Sequence, residues 1–174
     1  MQNKPTVIDF FCGCGGLSKG FMDAGYKVLL GIDNDEVALK TFVLNHKNSE
    51  GLALDLSKPN ILDSLVEKLD GKNPDVIVGG PPCQGFSLTG TRNFEDKRNS
   101  LYLSMIEAIK IIRPKAFLIE NVPGLAKLYG GKVKDEIIKR LSEFGYNVSM
   151  NILCAADYGV PQVRKRVFFV GLEN

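Results

Sequence analysis

Histidine is almost missing from this 174-residue chain: His46 is its single copy, and the four cysteines fall at positions 12, 14, 83 and 154. Structural zinc needs several sulfur or nitrogen ligands at close spacing. Cys12-x-Cys14 has no second pair nearby and His46 stands apart, so no metal site is expected. The cysteines are too sparse for a disulfide framework, which fits a reducing compartment. No apolar run approaches the roughly 20 residues that cross a bilayer, and the N-terminus lacks a charged segment followed by an apolar run. A soluble, cytoplasmic protein with no membrane contact is the expectation. Net charge is scarce too, because 22 Lys and Arg face 20 Asp and Glu, leaving +2. A nucleic-acid surface would therefore have to be a local patch. Internal repeats, low-complexity tracts and linkers are also absent. Residues 1–174 read as one domain, long enough to bury about 70% of its unfolded surface.

The chain opens with a compact β-branched and aromatic run, Thr6 to Phe11, then a glycine cluster (Gly13, Gly15, Gly16), then Leu17, Phe21 and Ala24 at helical spacing. Gly25 stands where a left-handed helix cap is wanted, and Lys27 to Ile32 forms a second strand ending at Asp33. In such a βαβ unit the glycines let a ligand approach the helix N-terminus, and an acid ending the second strand accepts hydrogen bonds from a ribose. The third glycine of the dinucleotide fingerprint would fall at position 18, which is Ser18. A nucleoside-bearing ligand without a pyrophosphate fits better, the alternative being a glycine cluster that serves packing alone.

The α/β alternation continues through a helix over Glu36 to Asn45 and a short strand over Leu52 to Leu56 that carries Asp55. A helical stripe follows at Ile61, Leu62, Leu65, Val66 and Leu69, then a buried strand over Asp75 to Val78. Beyond that strand stands Gly79-Gly80-Pro81-Pro82-Cys83-Gln84-Gly85-Phe86-Ser87. The prolines cannot continue a ladder and the glycines allow unusual backbone angles, so Cys83 is presented at a strand's C-terminal end. Taken alone, such a cysteine is as often buried and inert as reactive. Leu88 to Asn99 is polar and aperiodic, with Arg92, Lys97 and Arg98, and reads either as a closing loop able to meet phosphates or as a solvated one. A helix over Leu101 to Ile112 and a strand over Lys115 to Ile119 lead to Glu120-Asn121-Val122-Pro123. A helix through Val133, Ile137, Leu141 and Phe144, capped by Gly145, precedes a strand over Asn147 to Leu153 and a last strand over Val167 to Val170. Between those two strands, Arg164 and Arg166 share one face of an extended segment.

In an open, mostly parallel sheet the C-terminal strand ends share one rim, and ligands bind there. That rim gathers the glycine turn, Asp33, Asp55, Cys83 and Glu120. A thiol beside a nucleoside site, with a carboxyl able to reach a ring nitrogen, suits addition to a heterocycle. Phe11-x-Gly13-x-Gly15-Gly16, Pro81-Pro82-Cys83-Gln84 with Ser87, Glu120-Asn121-Val122 and Gln162-x-Arg164-x-Arg166 resemble, in order and over nearly the whole chain, the motifs of S-adenosylmethionine-dependent DNA cytosine-5 methyltransferases.

The resemblance implies a Rossmann-like, doubly wound α/β fold of the class I methyltransferase type. It implies that Phe11, Gly13, Gly15, Gly16, Leu17, Pro82 and Leu101 surround S-adenosylmethionine, which leaves as S-adenosylhomocysteine. Asp33 would take the ribose hydroxyls, and Asp55 and Leu56 would flank the adenine. Asn34 stands where many members carry a large apolar or aromatic residue. Cys83 would attack C6 of a cytosine flipped from double-stranded DNA, Glu120 would donate to N3, and Arg164 would contact O2 and orient Glu120. Gln84, Ser87, Arg98 and Arg166 would meet DNA. Complete members continue into a target-recognition region and two further motifs, so this catalytic portion is expected to be C-terminally incomplete, either a split enzyme needing a second subunit or a truncated product. It is expected to transfer poorly alone and to expose apolar surface near the first strand, where a partner or a second copy would dock. The rival readings are a transfer-RNA cytosine methyltransferase of the same fold, against which Gly85-Phe86-Ser87 speaks, a non-catalytic subunit that holds cofactor or DNA, and, weakest, a nicotinamide-dependent dehydrogenase.

Overall fold

The computed structural model describes residues 4–71, 73–82 and 100–174. Seven strands form one sheet in the order β3-β2-β1-β4-β5-β7-β6. These are β1 (Thr6–Phe10), β2 (Lys27–Asp33), β3 (Glu50–Ala53), β4 (Val76–Gly79), β5 (Ala116–Asn121), β6 (Tyr146–Cys154) and β7 (Lys165–Glu173). The pairings among β1 to β5 are all parallel, while β7 runs antiparallel to both β5 and β6. This is the doubly wound α/β fold that the alternation implies, with the strand order reversing between β1 and β4.

Helices α1 (Gly16–Asp23) and α2 (Glu36–Asn45) close one face; α3 (Ile61–Leu69), α4 (Ser100–Ile112) and α6 (Lys132–Glu143) close the other, and a short α5 (Gly124–Lys127) follows β5. Local chemistry sets the ends of these elements. The Asp35 side chain accepts from the Val37 and Ala38 amides at 2.8 and 3.1 Å, satisfying two of the N–H groups that α2 leaves open. Gly25 and Gly145 adopt φ of 93° and 89° after α1 and α6, as their positions in the sequence suggest. Among the described residues no helix is long and apolar enough to cross a membrane.

Most boundaries shift by one or two residues, and the three largest differences from the expectation each have a physical reason. β3 lies earlier, at Glu50–Ala53, because it pairs only with Leu30 to Asp33; once β2 ends it has no partner and turns away, so Asp55 stands beyond the strand rather than within it. β7 spans nine residues instead of four, since pairing with β6 carries it through polar positions that burial alone would not hold. The segment after Glu120 folds into α5 and a 3₁₀ turn (Leu128–Gly131) too short to show a period.

Expected exposure near the first strand is corrected by the structure: Val7, Ile8, Asp9 and Phe10 of β1 are all fully buried. Exposed apolar side chains lie on the outer helices, among them Met22 of α1 and Val37, Val43 and Leu44 of α2, and a partly covered group lies on β5 and β7. Leu118, Phe168 and Val170 are half-buried and Leu172 is 58% exposed. The β5–β7 register puts Leu118 opposite Val170 and Ala116 opposite Leu172, so these side chains share one face.

Candidate active site

A cavity of about 560 Å³ opens at the rim, lined among others by Phe11, Gly16 and Leu17 from the first turn, by Gly80 after β4, by Glu120 of β5, and by Arg164 and Arg166. Distant stretches of the sequence meet here because β1, β4 and β5 end at the same level. β7 is antiparallel, so it brings its N-terminal end, not its C-terminal end, to the rim. That reversal places the arginines beside Glu120.

The glycine turn is built for close approach. Phe11 leaves β1 at φ 58°, a conformation that costs a non-glycine residue energy, and Gly13 and Gly15 follow at φ 52° and 92°. The Gly13 amide donates to Asp33 Oδ2 at 2.8 Å, and the Asp35 amide donates to Asp33 Oδ1 at 3.0 Å. Each oxygen keeps a lone pair for a further donor such as a ribose hydroxyl. A Cβ placed on Gly13 or Gly16 would meet nothing within 4 Å, so bare backbone faces open space at the N-terminus of α1. The turn therefore fits the nucleoside-bearing cofactor that the resemblance implies.

Below the turn lies a group that sequence reasoning passed over. Asp9 is fully buried, and its Oδ2 accepts from the Ser18 amide at 3.1 Å and the Ser18 hydroxyl at 2.7 Å. Its Oδ1 has no partner among the described residues. Burial pushes the Asp9 carboxyl up to about 7, against the lowering pull of the Ser18 hydrogen bonds and with a small push from Asp33. An acid inside the apolar run Val7-Ile8-Asp9-Phe10 was the available signal. Burial likewise pushes the Cys12 thiol upward, helped by Asp9 and Asp33, so Cys12 is a neutral wall of the cavity, not a nucleophile.

The Glu120 side of the cavity departs from the expectation in one respect. Glu120 pairs with Arg166, Oε1 to Nε at 2.9 Å, both side chains being about a fifth exposed. Glu120 sits opposite Phe168 in the ladder, and Arg166 is two residues along on the same face, the diagonal neighbour that a long side chain reaches. Arg164, expected to orient Glu120, precedes the strand and lines the same cavity. The backbone of Gly80 closes on Glu120, since a Cβ there would lie 3.2 Å from Oε2. Asn121, buried beside it, donates from Nδ2 to the Pro81 carbonyl at 2.8 Å and accepts from the Val122 amide at 2.9 Å. It thereby ties β5 to the chain leaving β4.

Of the other expected residues, Asn34 is exposed, and Asp55 is half-buried and turned onto Ser57, whose hydroxyl and amide hold its carboxyl below the usual range. Leu56 is buried in the core, Pro82 is exposed, and Leu101 packs half-buried at the start of α4. None of these five lines the cavity. Cys83, Gln84, Ser87 and Arg98 lie outside the described residues, as does the loop read over 88–99. Among the described residues no group of three or more His, Cys, Asp or Glu could hold a metal ion.

Residues 5–174 match the sequence pattern of the family described as C-5 cytosine-specific DNA methylase. The chain is 44% identical over 172 residues to the Type II methyltransferase M.DdeI of Desulfomicrobium norvegicum, covering 97% of this chain and 41% of that protein. It is 35% identical over 183 residues to the Type II methyltransferase M.AquIA of a Picosynechococcus species, covering 98% of this chain and 72% of that protein. Among solved structures, a DNA modification methyltransferase encoded within an E. coli prophage is 33% identical with a TM-score of 0.83, covering 98% of this chain and 47% of that one. The chain thus spans less than half the length of the curated relatives it matches first.

Proposed function

Since the chain belongs to the C-5 cytosine-specific DNA methylase family, we propose that it forms the catalytic portion of an enzyme that transfers a methyl group from S-adenosylmethionine to C5 of cytosine in double-stranded DNA. The observation that carries this reading is the shared cavity: Phe11, Gly16 and Leu17 of the first turn line the same space of about 560 Å³ as a partly buried carboxylate paired with a guanidinium. When bound, S-adenosylmethionine supplies an electrophilic methyl group. Phe11, Gly13, Gly16, Leu17 and Asp33 would hold it.

Cys83 attacks C6 of a cytosine rotated out of the duplex, because the ring is closed to such attack within the stack. A free thiol has a pKa of about 8.5, so the site must favour the thiolate or remove its proton as the bond forms. Glu120 donates a proton to N3 and takes up the charge that would build on the ring. Arg166 holds the Glu120 carboxyl in place, and Arg164, which lines the same cavity, would contact O2 of the base. C5, now an enamine carbon, accepts the methyl group; water or a neighbouring base takes the C5 proton as the Cys83 sulfur departs, and N3 returns its proton to Glu120, which restores the aromatic ring. Gln84, Ser87 and Arg98 would engage the DNA. The test is covalent trapping: with cofactor present, a duplex carrying 5-fluorocytosine should form a stable adduct mapped to Cys83. Adduct on another residue, or on transfer RNA in preference to DNA, would reassign the chemistry or the substrate.

The partly covered β5–β7 face bears on how the chain works. Leu118, Phe168, Val170 and Leu172 together suit a covering segment, supplied by a second subunit or a second copy. The chain by itself is therefore expected to bind cofactor weakly and to give little tritium transfer from labelled cofactor to duplex DNA. Sedimentation should show self-association at high concentration. Robust turnover by a strictly monomeric chain would remove the case for a partner.

A further inference from the structure

His46 is the chain's single histidine, it lies at the end of α2, and nothing in the proposed chemistry uses it. It is 2% exposed. Its ring stacks on Phe42, with centroids 4.4 Å apart and planes 17° from parallel, and Nδ1 lies 2.9 Å from the Phe42 carbonyl. A carbonyl only accepts, so Nδ1 carries the proton, and Nε2 is left as a buried acceptor with no partner among the described residues. An unpaired buried acceptor costs stability.

The two stacked rings form a slab wedged between glycines. At Gly15 a Cβ would overlap His46 Cε1 and lie 2.8 Å from both His46 Nδ1 and Phe42 Cδ2; at Gly31, in β2, it would overlap the far edge of the Phe42 ring. One side of the slab thus rests on β2 and the other on Gly15. Gly15 is the left-handed N-cap of α1 at φ 92°, and its amide donates to the Cys12 carbonyl at 2.8 Å. The next residues, Gly16 and Leu17, line the cavity.

We infer that His46 is a positioning residue: its ring sets the height of the glycine turn above the sheet and so tunes affinity for the cofactor from behind the site. The inference rests on the reading of that turn as the cofactor seat. His46→Ala would let the turn sink toward β2, whereas His46→Phe would keep the slab and discard the unpaired nitrogen.

Two measurements test this, with S-adenosylhomocysteine as the probe. By calorimetry, His46→Ala should raise the Kd about tenfold, the scale of loss when a binding element shifts off its productive position, and His46→Phe should stay within about twofold of the native chain. A double-mutant cycle in thermal unfolding pairs His46→Ala with Gly15→Ala. The added methyl needs the space that the His46 ring occupies, so Gly15→Ala should lower Tm less in the His46→Ala background than in the native one. An unchanged Kd in folded His46→Ala, or strictly additive Tm losses, would overturn the inference. If the native chain binds no S-adenosylhomocysteine, the cofactor reading fails, and the Tm cycle still decides whether His46 seats the turn.

Discussion

Glu120→Gln should slow methyl transfer by about two to four orders of magnitude, the range typical of losing a general acid. Glutamine keeps the shape of the side chain, which matters because the Gly80 backbone closes on it and Asn121 next to it ties β5 to Pro81. What is lost is a group that can hand a proton to N3 and then stand as the carboxylate that Arg166 holds at 2.9 Å. The pair is largely shielded from water, so Glu120→Gln leaves the Arg166 charge without its partner and should also lower folding stability, which urea unfolding of the variant separates from the chemical effect. The expected pattern is a fall in kcat with KM for cofactor nearly unchanged, which marks an interaction made in the transition state rather than on binding. Single-turnover transfer from labelled cofactor to duplex DNA measures it, in whichever preparation carries the label across. Native-like kcat in Glu120→Gln would remove Glu120 from the chemistry and leave it as a partner for Arg166.

A second large effect should come from Asp9, and it concerns stability. An unfolded aspartate has its pKa near 3.8, whereas burial raises the folded group to about 7. Between those values the native state holds a proton that the unfolded chain has released, so stability falls as pH rises through that window and levels off above it. At 1.36 kcal/mol per unit the swing is about 4 kcal/mol. The native protein should therefore lose stability between pH 4 and pH 8 relative to Asp9→Asn, which cannot ionise and retains an oxygen for the Ser18 donors. Urea unfolding of both proteins across that range reads the difference directly. Asp75 runs the other way, since Lys115 and Thr6 hold its carboxyl near 2, and its contribution fades only as pH falls toward that value. Parallel pH profiles for the native chain and Asp9→Asn would show that Asp9 is ionised at no cost.

Asp9 also shows how far the sequence could be read. Its strand was legible from four successive residues, but whether an acid in an apolar run is buried or faces water depends on what packs on both sides of the sheet. Only the folded β1, enclosed by α1 on one face and the main core on the other, answers that. The same holds for Arg166. Periodicity put Arg164 and Arg166 on one face, yet the choice of partner for Glu120 depended on the antiparallel register of β7 against β5, and register is a property of two strands, not one.

By itself, then, the sequence determined the local elements and the order of the chemical groups. The glycine caps, the βαβ alternation and the four ordered motifs all arise from neighbours along the chain, where backbone preference and hydrophobic period act. Tertiary structure decided what happens between strands far apart in sequence. It buried β1 from Val7 to Phe10, left Leu118, Phe168, Val170 and Leu172 as a partly covered face, paired Glu120 with Arg166, and wedged His46 behind Gly15. Those outcomes follow from which surfaces exclude water from one another and at what register, and no single segment carries that information.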